Sequence, residues 1–118
     1  MEKYTIQKVP LVVPTADGKL IEEHFGISNQ SELSIAHMVA PRKWSEPFQT
    51  PEFDEYTYII KEEKQFNLDG EIVVLEAGQS IKIEKGARIQ YSNPFDVESD
   101  YLAVCLPAFS MESVNREE

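Results

Sequence analysis

The stretch Trp44-Ser45-Glu46-Pro47-Phe48-Gln49-Thr50-Pro51-Glu52-Phe53-Asp54-Glu55 carries four carboxylates and one amide, of which Glu46, Glu55 and Gln49 could point into one space. If Glu46, Gln49 and Glu55 face one cavity, they form a polar site whose two carboxylates can run acid–base chemistry. If Glu46 and Gln49 instead sit in water, they are ordinary solvated surface. Further along, Arg88 and Gln90 share one face of an extended segment, with Ile89 and Tyr91 on the other. Arg88 offers a guanidinium that reads a carboxylate in bidentate fashion, or that pairs with Glu46 or Glu55. Tyr91 offers a phenol to a ligand, or packs with its hydroxyl at a rim. The chain has two histidines. His24 lies in the polar run Lys19–Phe25 just before Gly26, and His37 shares a face with Leu33, Ile35 and Val39. His37 lines a cavity if that face points inward; a lone histidine on an apolar face is otherwise a satisfied core residue.

Other chemistries lack their residues. No Gly-rich phosphate loop and no Gly-x-Ser-x-Gly elbow occurs. The single cysteine, Cys105, excludes an intramolecular disulfide and cysteine-rich zinc modules. Cys105 also lies inside an apolar run, where a thiol behaves as a small hydrophobe. A formal net charge of −10 disfavours nucleic acid and anionic membranes as partners. The N-terminal segment shows no apolar signal core, and no apolar run approaches the roughly 20 residues of a membrane span. These features predict a cytoplasmic protein.

The elements that must position these side chains are strands. The 118 residues suit one domain, and turn signals punctuate them at short intervals: Asp17-Gly18, Gly26, Pro41, Asp69-Gly70, Gly78, Gly86, Pro94 and Pro107. Short runs rich in β-branched and aromatic residues lie between them, the pattern of an all-β sandwich or barrel. Ile81 and Ile83 alternate with polar neighbours. Tyr56-Thr57-Tyr58-Ile59-Ile60 and Tyr101–Leu106 read instead as strands covered on both faces. Asp69-Gly70 between two strand-like runs predicts a tight hairpin whose central residues both take positive φ. Only Ser110–Val114 suggests a short helical turn, with Ser110 as its N-cap.

From Trp44 to Asn93 the chain resembles the cupin superfamily. Glu55 falls where the first cupin motif places its glutamate. Gly78, Gly86 and Asn93 keep the spacing of the second motif, with Glu84 in place of its proline and Ile89 in place of its histidine. The two first-motif histidines fall on Gln49 and Pro51, or on Phe48 and Thr50, and the terminal glycine falls on Glu62. The resemblance implies a jelly-roll, double-stranded β-helix barrel: a single cupin domain over residues 1–118, with a core at about 19–107. It also implies a homodimer, with the strand at 3–13 laid across the partner.

Metal-binding cupins use three histidines and the glutamate, and only Glu55 remains here. A substitute set of His24, Glu46, Gln49 and Glu55 would suit a hard divalent metal ion better than zinc. Burial in an apolar barrel would raise the Glu55 pKa and make it the best general-base candidate, with Tyr91 beside it. Three readings follow. The first is a module binding a small polar or anionic molecule through Glu46, Gln49, Glu55, Arg88, Tyr91 and His37. The second is a small isomerase, epimerase or lyase acting on a sugar or small acid. The third is a regulatory partner with a vestigial pocket.

Overall fold

The turn signals divide the described residues into ten strands. A computed structural model describes residues 3–118. The strands are β1 (Leu11–Val12), β2 (Leu20–His24), β3 (Ser34–Ala40), β4 (Trp44–Ser45), β5 (Asp54–Lys61), β6 (Glu63–Leu68), β7 (Glu71–Glu76), β8 (Ser80–Ile83), β9 (Ile89–Asn93) and β10 (Ser99–Leu106). A one-turn 3-10 helix at Ile27–Asn29 interrupts the loop after β2. They form two antiparallel sheets, one ordered β1-β2-β3-β10-β5-β8 and the other β4-β9-β6-β7. This is the all-β jelly roll that the cupin resemblance implied.

Local chemistry explains the joints. Asp69 and Gly70 take φ of 50° and 107°, as the β6–β7 hairpin requires, and Asn67 Oδ1 accepts the Gly70 N–H at 2.7 Å. Asn93 is buried at the end of β9, and its Nδ2 donates to the carbonyls of Pro41 (3.0 Å) and Val97 (2.8 Å). That side chain ties the β3–β4 loop to the β9–β10 loop, which accounts structurally for an asparagine at this motif position. Glu62, at the position of the motif glycine, takes a left-handed φ of 65°. Near the C-terminal end, Ser113 N–H donates to the Ser110 carbonyl at 3.2 Å and closes a single turn.

The main core lies between the sheets and comprises Ala40, Trp44, Ile59, Phe66, Ile83, Ile89, Tyr91 and Tyr101. A smaller cluster of Phe53, Cys105 and Val114, with Phe109 against it, closes one end. β5 departs from the expectation of two covered faces. Its Thr57 and Ile59 are buried, while Tyr56, Tyr58 and Ile60 are exposed on the outer face of the larger sheet. The single chain places no second layer over that face. In the described part of the N-terminal run 3–13, Leu11–Val12 pair with Glu22–Glu23 of β2, and the Gln7 side chain donates to the Glu23 carbonyl and accepts the Phe25 N–H.

Candidate functional site

Strand phase decides which side chains reach the interior. Along β3 the inward residues are Ser34, Ala36 and Met38; along β2, Ile21 and Glu23; along β10, Tyr101, Ala103 and Cys105. These residues, with Lys19, Glu46, Gln49, Glu55, Lys64, Tyr91, Phe109 and Arg116, surround a cavity of about 70 Å³. That is room for a few water molecules or a ligand of a few heavy atoms.

Four of the residues singled out from the sequence line this space. Glu46 is buried, not solvated at a rim, and its Oε2 accepts from Lys19 Nζ at 3.2 Å. Arg116 Nη2 approaches the same oxygen at 3.6 Å. Gln49 is buried and exchanges backbone hydrogen bonds with Ile89 at 2.9 Å each way. This fixes the register: Gln49 and Pro51 are buried, while Phe48 turns outward. Glu55 Oε2 accepts from Thr57 Oγ1 at 3.3 Å, and Cys105 Sγ donates to Oε1 at 3.7 Å. Burial raises the Glu55 pKa, against the opposing pull of the Lys64 charge. The Tyr91 hydroxyl is buried without a hydrogen bond of proper geometry. Burial and the Glu55 charge push its pKa well above 10.

Three other candidates lie elsewhere. His24 is on the same phase of β2 as Glu22, opposite to Ile21 and Glu23, so it faces away from the cavity. His37 also points outward, because β3 turns Ser34, Ala36 and Met38 toward the cavity and His37 lies on the opposite phase. Its Nδ1 lies 2.8 Å from Glu22 Oε1 and its Nε2 lies 2.6 Å from Asp100 Oδ1. The hydrogen bond with Glu22, then that with Asp100, raises its pKa above 6.5 despite partial burial. Arg88 reads no ligand carboxylate in the cavity: its Nε and Nη2 bind both oxygens of Glu117 at 2.8 and 2.9 Å, and its guanidinium stacks on Phe48 at 3.8 Å. With Arg116 beside Gln49, these contacts strap the segment 113–117 across the segment 48–52.

The residue that sequence reasoning missed is Lys64. It is 2% exposed and lines the cavity. Its Nζ lies 3.5 Å from the centroid of the Tyr101 ring and 4.9 Å from that of Tyr91. Among the described residues no carboxylate pairs with it. Burial, then the charge of Lys19, pushes its pKa down to about 7. A signal for it exists in the sequence: Lys64 shares a strand phase with Phe66 and Leu68, whereas Glu63, Gln65 and Asn67 occupy the other. A lysine in the apolar phase of a strand is an interior lysine.

The same geometry tests the metal site. Among the described residues no group of three or more His, Cys, Asp or Glu side chains is placed to hold a metal ion. The set His24, Glu46, Gln49 and Glu55 does not assemble, since His24 faces away and Glu46 is neutralised by Lys19. Ile89, at the motif histidine position, is wholly buried in the core. Lys19, Lys64 and Arg116 line the cavity against Glu23, Glu46 and Glu55, and Glu46 is already taken by Lys19 and Arg116, so the carboxylates left do not make a cation site.

Comparison with known proteins places the chain. The sequence model of the ethanolamine utilisation protein EutQ family matches residues 19–110. The chain belongs to the EutQ family. Among solved structures it is similar to the EutQ protein of Clostridium difficile, with a TM-score of 0.69 and 23% identity over 87% of this chain and 75% of that one. It is also similar to an RmlC-like cupin from Shewanella frigidimarina, with a TM-score of 0.73 and 17% identity over 92% of this chain and 93% of that one. At such identities these likenesses establish the cupin fold. A Myxococcus xanthus protein named endoribonuclease YbeY is 38% identical over 108 residues, which cover 90% of this chain. The chain spans 37% of that protein's length. Among the described residues of this EutQ-family chain no helix is long and apolar enough to cross a membrane.

Proposed function

We propose that this EutQ-family cupin binds a small oxygen-bearing molecule in the cavity between its sheets. Lys64 carries the reading. A buried amine with no ion-pair partner among the described residues leaves donors unsatisfied, and an enclosed unpaired charge is costly unless something compensates it. A ligand oxygen supplies that compensation. Glu55, Tyr91 and Gln49 would orient the ligand, and the Lys19–Glu46 pair would close one wall. The protein is then a metal-independent, cytoplasmic binder.

Catalysis is the second reading, favoured by one observation. Burial pushes Glu55 up and Lys64 down, so both protonation equilibria move toward neutral pH inside one cavity, as acid–base pairs require. An isomerase or lyase acting on a small oxygenated substrate fits such a pair.

The test is a thermal-shift screen of untagged protein against two- to four-carbon acids, alcohols and aldehydes. A ligand at about 100 times its dissociation constant stabilises by about 2.7 kcal/mol, or about 10 °C for a domain of this size. Glu55→Gln should weaken the shift. A panel without effect on the wild type would support a vestigial pocket instead.

The outer face of the larger sheet supports a homodimer as part of the same proposal. Tyr56 and Tyr58 are 42% and 47% exposed there, beside Val104 and Leu102 of β10, and such a patch is a candidate contact. Sedimentation should give a dimer at micromolar concentration, and the double variant Tyr56→Lys, Tyr58→Glu should give a monomer. A monomeric wild type would overturn it.

A further inference from the structure

Lys64 has the setting of a nucleophile. Its Nζ projects into an enclosed space bounded by the faces of Tyr101 and Tyr91, with Trp44 at 5.6 Å. No carboxylate forms an ion pair with it among the described residues, and burial together with the Lys19 charge outweighs the pull of Glu55 and Glu46 on its ammonium form. Desolvation and a neighbouring cation are the two devices that keep a lysine amine neutral and reactive at neutral pH. The Glu55 carboxyl lies close enough to feel the Lys64 charge, so a proton donor and acceptor shares the cavity. The walls around them are mostly apolar: Ile21, Met38, Ala36 and Ala103.

We propose that Lys64 condenses reversibly with a small carbonyl compound to form an imine in this cavity. The inference rests on the reading of the cavity as a ligand site and names the ligand's reactive group. The Nζ lone pair attacks the carbonyl carbon, a C–N bond forms, and the carbonyl π pair moves to oxygen, which takes a proton from Glu55. The nitrogen of the resulting carbinolamine loses a proton to the Glu55 carboxylate. Glu55 returns that proton to the hydroxyl group, the C–O bond breaks, and water departs. Water leaves a protonated imine beside the Glu55 carboxylate, and return of its N–H proton to Glu55 completes the balance: one carbonyl compound and one amine give one imine and one water, with no change of oxidation state. Protonation of the imine acidifies hydrogen on the adjacent carbon, which is the activation an isomerase or lyase needs.

The size of the cavity limits the carbonyl compound to a few heavy atoms, so propionaldehyde is a fitting probe. Equimolar propionaldehyde and sodium cyanoborohydride are added to the intact chain at pH 7, and the reduced adducts are located by peptide mapping. A free lysine is neutral in well under 1% of molecules at this pH. Lys64 should therefore be labelled at least tenfold faster than Lys43, which is exposed. The rate at Lys64 should level off above about pH 8, while the rate at Lys43 keeps climbing. Labelling of Lys64 no faster than Lys43 between pH 7 and 9 would overturn the imine. A parallel thermal-shift series with 1-propanol and propionate, without reductant, separates the two levels. Stabilisation by these analogues with Lys64 unlabelled would retain the binding site and remove the imine. Neither stabilisation nor labelling would remove both.

Discussion

Replacing Lys64 by methionine should stabilise the protein, and the gain should depend on pH. The two side chains are similar in length, so the substitution leaves little cavity. Holding the amine at about 7 against 10.5 for a free lysine corresponds to about 5 kcal/mol at about 1.4 kcal/mol per pH unit. The face of Tyr101, 3.5 Å from Nζ, offsets about 2 kcal/mol of this when desolvated. The expected gain is about 3 kcal/mol at neutral pH. Its sign follows from proton counting. Between the folded and unfolded pKa values the unfolded chain binds more protons at Lys64 than the native one, so wild-type stability rises with pH through that window. The advantage of Lys64→Met is therefore fullest at pH 7 and below, and fades as pH approaches 10.5. Urea unfolding of both proteins at pH 6, 8 and 10, with m-values compared, measures it. A variant less stable than wild type at pH 7, or a difference that does not change with pH, would refute the argument that burial dominates at this lysine.

Three other perturbations probe parts of the fold away from Lys64. His37, raised by Glu22 and Asp100, should contribute stability that is fully present below pH 6.5 and lost as pH rises through its folded pKa; NMR titration should place that pKa above 6.5, and the stability gap between wild type and His37→Gln should narrow from pH 5.5 to pH 9. Asn93→Asp would set a carboxylate against the carbonyls of Pro41 and Val97 and should cost about 3 kcal/mol in chemical denaturation. Glu62→Gly relieves a left-handed non-glycine residue and should raise stability by about 1 kcal/mol, visible as a higher Tm, because the steric penalty on a Cβ at positive φ outweighs the added freedom of the unfolded chain.

Turn chemistry made the fold legible. Asp69-Gly70, Gly78 and Gly86 mark real reversals, and Asn93 occupies the place where two loops must be joined. Glu46, Gln49, Glu55 and Tyr91 were visible as residues able to do chemistry near one another. The phase of β3 was not, because both of its faces carry apolar residues: Ile35 and Val39 on one, Ala36 and Met38 on the other. The choice between them is set across the sheets, where Ser34, Ala36 and Met38 face the cavity beside Tyr101, Tyr91 and Lys64. That is a tertiary fact, and it turned His37 outward. Arg88 was misplaced for a related reason: its partner, Glu117, is far along the chain. Lys64 went unnoticed because a lysine in a strand with acidic and amide neighbours resembles surface, and only its phase with Phe66 and Leu68 betrays it.

The position of β10 bears on how the molecule comes to be assembled. This strand, at residues 99–106, lies between β3 and β5 and is hydrogen-bonded to both. It is made after every other strand, yet it occupies the middle of the larger sheet. During synthesis β1–β3 and β5–β8 must wait as separate pieces, with the inward edges of β3 and β5 open, until β10 inserts and joins them. Pairings this distant in sequence fold slowly because loop closure precedes any reward in contacts. The cavity, which takes Tyr101, Ala103 and Cys105 from β10, is complete only once β10 is in place, and a chain without that strand has open edges at β3 and β5.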